Sequence, residues 1–253
     1  MTETRSDLIL NALPPAIQEP IRTLEYHLRT GLADNRSSIS VVGSALTADY
    51  RPGVSDINTV LVLQRVDTAA LNAIAALAKP MRKQHLSPPL LMTTFYIKRS
   101  ADVFGVEFLD FQLTHQTVLG DDPFESLKFS KADVRLQCER ELKATLIRLR
   151  QGYIAATTHK KLVRDLLIAT AKGLAPILRA MLWLKDVQRP RTMVTTFHTA
   201  AREFDVSLET VVTAEQWRYQ KTKHTDAELD DAFESVYAAT DRLAATVDAL
   251  EVG

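Results

Sequence analysis

The apolar positions of this chain follow two different rhythms. Up to about residue 130 they fall in short β-branched or aromatic runs, and "ISVVGSA", "INTVLVLQ", "LLMTTFYIK" and "GVEFLDFQL" read as strands. An N-terminal helix is predicted over "PAIQEPIRTLEYHLRTGLA", with Pro15 near its start. The Ala-rich "DTAALNAIAALAKPMRKQHL" reads as a helix between the second and third strands, kinked near Pro80. Strands alternating with helices predict a mixed α/β domain.

Beyond residue 130 the strand signals fade. Cys138, Leu142, Leu146, Leu149 and Tyr153 recur at helical steps on one face. The segment from Lys160 to Asp186 is apolar on most sides, as at the centre of a bundle. Helices are further expected over Pro190–Phe204, Ser207–Lys221 and Asp226–Leu250, with "DVQRPRT" as a break between two of them. The expected fold is α/β (α+β). A small mixed-sheet domain spans residues 1–125, and an all-α helical bundle follows over 126–253.

Composition narrows the choice of function. Lys+Arg and Asp+Glu are equal at 31 each, which gives a nucleic-acid partner no basic footprint. One cysteine, Cys138, allows neither an internal disulfide nor a Cys-rich zinc site, and its place on an apolar helix face marks it as core. The most apolar segment carries Arg164, Asp165, Lys172 and Arg179, so a buried helix is expected in place of a membrane span. The N-terminus lacks the pattern of a signal peptide, and a cytoplasmic location is expected. A homo-oligomer is left open.

One stretch carries chemistry: "VVGSALTADYRPGVSDINTVLVL", residues 41–63. A Gly-Ser turn at a strand end offers close backbone approach, free N–H groups and a hydroxyl, which suits phosphate oxygens. Residues at i and i+2 on a strand share a face, so Asp56 and the residue at 58 can reach one cation. Each has an ordinary alternative. Gly43-Ser44 could simply end a strand, Asp56 could cap a turn, and Asn58 could tie down a loop. Asp49, Tyr50 and Arg51 read as exposed loop residues, and His115 as a hydrogen-bonded structural histidine.

With "VEFLDFQ" added, the ordered set "GS", "SDIN" and a later acid between apolar residues resembles the nucleotidyltransferases of the DNA polymerase β superfamily. The fused helical domain is similar to the architecture of kanamycin nucleotidyltransferase. "LDFQLTHQTVLGDDPF" and "RLQCERELKATLIRLRQGY" resemble a bacterial protein family that carries this domain. The resemblance implies that Gly43 and Ser44 hold nucleotide phosphates and that Asp56 ligates Mg2+. A third acid, Asp110 or Glu107, would complete the metal and catalytic set. Three residues apart on a strand, those two would face opposite ways, and the "LDF" context favours Asp110. Asn58 stands where the family has Asp or Glu and removes one negative charge from the site.

Two functions follow. The first is Mg2+-dependent transfer of a nucleoside monophosphate from ATP or another NTP to a hydroxyl of a small molecule or protein. The second is a nucleotide-binding or interaction module, regulatory or antitoxin-like, whose chemistry is weakened or lost.

Overall fold

A computed structural model describes residues 8–32, 35–156, 161–220 and 222–252. Among these residues four strands and ten α-helices form, and they divide into two compact units. One comprises residues 1–101 and 110–128, the other 102–109 and 129–253.

The α/β unit begins with α1 (Pro15–Leu32), which buries Ile17, Ile21, Leu24, Leu28 and Leu32 along one stripe. Strands β1 (Arg36–Val42), β2 (Asn58–Leu63), β3 (Leu90–Thr93) and β4 (His115–Leu119) form a sheet in the order β3-β2-β1-β4. β1 pairs antiparallel with both β2 and β4, whereas β2 and β3 run parallel. A parallel pair needs a crossover, supplied here by α2 (Thr68–Ala75) and α3 (Ala78–Lys83). Pro80 lies in α3, just past the break that splits the expected single helix. Ile39, Val41, Ile57, Leu61, Leu63 and Val118 share a core with the apolar stripe of α1.

Two strand expectations require correction. "LLMTTFYIK" is β3 only to Thr93 and continues as α4 (Thr94–Arg99). "GVEFLDFQL" is helix throughout, as α5 (Gly105–Leu113). Its buried positions, Gly105, Val106, Phe108 and Leu109, show helical spacing that aromatic and β-branched content had masked. The side chain of Gln137 settles the start of α5, since its Oε1 accepts from the Val106 N–H at 2.9 Å. In a helix Glu107 and Asp110 lie on neighbouring parts of one side, not on opposite faces.

The helical unit contains α6 (Lys131–Ala155), α7 (Lys161–Leu184), α8 (Met193–Phe204), α9 (Glu209–Trp217) and α10 (Asp226–Asp248). Val134, Cys138, Leu142, Leu146 and Leu149 form the buried stripe of α6, and Tyr153 extends it by stacking on Phe233 at 4.2 Å. α7 is the one helix among the described residues long and apolar enough to cross a membrane, and 61% of that window is buried within the fold. Its buried Arg179 donates to the carbonyls of Pro190 (3.1 Å) and Arg191 (3.3 Å), which fixes the "DVQRPRT" break.

Candidate active site

β1 ends at Val42, and the chain turns through Gly43 with φ +75°, a left-handed conformation that glycine adopts without penalty. A 3-10 turn, Gly43–Leu46, follows. The Gly43 N–H donates to the Thr114 carbonyl at 2.8 Å, which ties the turn to the chain leaving α5. Thr47 closes the turn, its N–H donating to the Ser44 carbonyl at 3.0 Å. The Ser44 hydroxyl has no hydrogen-bond partner among the described residues.

Sheet register brings the second half of the motif to the same place. Asn58 pairs directly with Val42, and Val42 pairs with His115 on its other side. Neighbouring strands lie about 4.8 Å apart, so Asn58 sits one strand spacing from the residue that opens the Gly43 turn. Ile57 is 1% exposed in the α1-side core, and alternation therefore turns Asn58 the other way, while Asp56, just before β2, also borders a cavity walled by Ile74, Met81 and Leu86. Ile57 is held by its N–H to the His85 carbonyl (2.7 Å) and by its carbonyl from the Ser87 N–H (3.0 Å).

Neither the Asp56 carboxylate nor the Asn58 amide has a hydrogen-bond or ion-pair partner among the described residues. The capping role for Asp56 and the loop-tying role for Asn58 are thus not filled. Asp56 is exposed and Asn58 half-buried.

The two candidate third acids differ in what surrounds them. Glu107 belongs to the helical unit, and its Oε2 accepts from the Gln137 Nε2 at 2.6 Å. Asp110 belongs to the α/β unit, where its carbonyl accepts from both the N–H (3.0 Å) and the hydroxyl (2.9 Å) of Thr114. Thr114 is the residue that receives the Gly43 N–H, so the backbone of Asp110 stands one hydrogen-bond step from the turn. No strand of the sheet carries an acidic residue. Among the described residues no three His, Cys, Asp or Glu side chains gather as a ready-made metal site.

His115 is a structural residue. Its Nδ1 bonds the Phe111 carbonyl at 2.8 Å and its Nε2 bonds Asp122 Oδ2 at 2.7 Å. Burial pushes the Asp122 carboxyl up, but the His115 hydrogen bond and the Phe124 N–H (2.9 Å) outweigh it and leave the group below its ordinary value. Sequence reasoning missed Asp122 as this partner, seven residues away across the turn after β4.

The basic residues of α6 are occupied. Arg135 and Lys143 pair with Glu139, and Arg140 with Glu141. Arg135 also donates to the Val247 carbonyl at the end of α10, and Arg150 to the Tyr237 hydroxyl.

No protein-family model matches the chain, and no curated protein matches it in sequence. Among solved structures it is similar to spectinomycin adenyltransferase AAD(9) from Enterococcus faecialis, whose crystal structure holds ATP and spectinomycin. The identity is 12% and the TM-score 0.58, over 89% of this chain and 98% of that one. By this likeness, and in keeping with the motifs of its sequence, the chain has a nucleotidyltransferase fold: a small mixed sheet with its helices, followed by a helical region.

Proposed function

We propose that this protein binds a nucleoside triphosphate with Mg2+ at the Gly43 turn and transfers its nucleoside monophosphate, at low turnover, to a hydroxyl. The observation that carries this reading is the register Val42↔Asn58, which sets Asn58 and Asp56 beside the left-handed Gly43 turn with side chains free for a ligand. Gly43, whose own N–H is taken by the Thr114 carbonyl, would let the backbone approach the phosphates closely, and Ser44 would meet their oxygens through its N–H and hydroxyl. The solved neighbour holds ATP and a small-molecule acceptor, which supports an NTP donor and an acceptor of that kind.

Donor chemistry sets the expected rate. Magnesium takes oxygen ligands, commonly one or two carboxylates together with substrate phosphates. The Asp56 carboxylate and the Asn58 amide oxygen fit a cation that arrives on the triphosphate. Asp110 is the preferred third acid, since its backbone stands one hydrogen-bond step from the Gly43 turn through Thr114. When bound, the cation would neutralise charge developing on the transferring phosphoryl group. The protein's own part is to hold the phosphates, to align the donor, and to accept the acceptor's proton at a carboxylate.

A second reading, binding without transfer, is favoured by Asn58 and by the absence of any acidic residue from the strands. Calorimetry with ATP, GTP, CTP and UTP, with and without Mg2+, paired with a pyrophosphate-release assay, separates the two. Micromolar binding with slow release supports transfer, and binding with none supports the second reading. Absence of binding by all four nucleotides overturns both.

A further inference from the structure

A cavity of about 730 Å3 lies within the α/β unit beside Asp56, in the range of small-molecule sites. Its walls are mainly apolar, with Ile74, Ala78, Met81 and Leu86 among them. Small side chains keep it open, because the junction of α2 and α3 contributes Ala75 and Ala78 where larger residues would fill the space. The outer wall is fixed. His85 adopts φ +56°, Pro88 and Pro89 stiffen the chain after it, and the two backbone hydrogen bonds to Ile57 pin residues 85–87 against the start of β2.

The cavity opens to solvent along Ala75, Ala78 and Arg82, and an apolar body seated in it would gain dispersion contacts with these walls. Polar groups on the walls define what that occupant carries. Arg82 supplies a permanent positive charge, and His85 and Ser87 supply further polar atoms. None of these three side chains has a hydrogen-bond or ion-pair partner among the described residues.

We propose that this cavity binds a small organic monoanion with a largely apolar body, an aromatic or branched aliphatic carboxylate, its charge seated at Arg82 and His85. A cation of the same shape would meet Arg82 with like charge and find only Asp56 to offset it. The cavity borders the proposed nucleotide site at Asp56, which lines it, so its ligand binding is tested with neither nucleotide nor Mg2+ present.

The test uses the full chain with 13C-methyl-labelled Met and Ile, followed by NMR as 1-naphthoate is added without nucleotide. Saturable shifts are expected at Met81 and Ile74, while Met181 and Ile177 in the helical core stay in place. 1-Naphthylmethylamine at equal concentration is expected to shift none of them. Ala78→Trp, which fills the cavity, should abolish the naphthoate response. Arg82→Met, an exposed change that spares the fold, should weaken it about tenfold. The proposal is overturned if Met81 and Ile74 do not saturate, if the amine binds as well as the acid, or if Arg82→Met leaves the affinity unchanged.

Discussion

On the proposed reading, Asn58 is where a single atom substitution would set the chemistry. An amide oxygen carries no net charge, whereas a carboxylate some 4 Å from another unit charge interacts by about 4 kcal/mol at an effective dielectric near 20. Hydration and ligand exchange take back most of that figure. Asn58→Asp is still expected to tighten Mg2+–nucleotide binding tenfold or more and to raise pyrophosphate release, both read on the purified variant. Gly43 tests the cradle from the other side. A Cβ there would meet nothing within 4 Å, so Gly43→Ala costs only the left-handed backbone, about 1–2 kcal/mol, and a urea melt checks it. Asp122 carries a pH signature. Its folded carboxyl titrates below the ordinary 3.8, so its contribution is full above that value and is lost as pH falls through and below it. Asp122→Asn should flatten that acid limb in thermal melts. Burial pushes the Cys138 thiol up to about 12, so Ellman's reagent should find no reactive thiol until the chain is unfolded.

At the scale of elements, α5 shows where a sequence stops being readable. The stripe of α1, the apolar face of α6 and the all-round apolarity of α7 were plain in spacing, because long periodic segments average out local ambiguity. Residues 105–113 are nine positions rich in Phe, Leu and Val, and both periods fit so short a run. What decides is Gln137, thirty-one positions beyond Val106, which takes up a free N–H in the first turn of the helix. No local pattern can announce such a partner. Gln137→Leu would strand the Val106 N–H and the Glu107 carboxylate together, at a cost of about 1–3 kcal/mol in chemical denaturation. The turn and the Asp56 strand were legible for the opposite reason, since Gly43 at φ +75° and alternation around Ile57 are local requirements. The cavity beside Asp56 was not, because it depends on where two short helices and the chain after them come to rest.

For the whole molecule, the charge balance holds consequences that no single residue shows. With a formal net charge of zero and a pI near 7.0, the chain's net charge gives it no overall attraction to a polyanion. On the proposed reading, nucleotide recognition would fall to short-range groups at the turn. Retention on immobilised DNA is expected to vanish by about 0.15 M salt, where the Debye length is roughly 8 Å. Each unit has its own core: one built on α1 and the sheet, the other on α6 to α10. β1 stands at the middle of that sheet, yet its outer neighbour, β4, begins 73 positions after β1 ends. During synthesis, then, the strand that leads to the Gly43 turn leaves the ribosome early and waits half-paired until residue 119 follows it. A stalled or truncated chain ending short of that point would present an open strand edge, ready to pair with the wrong partner.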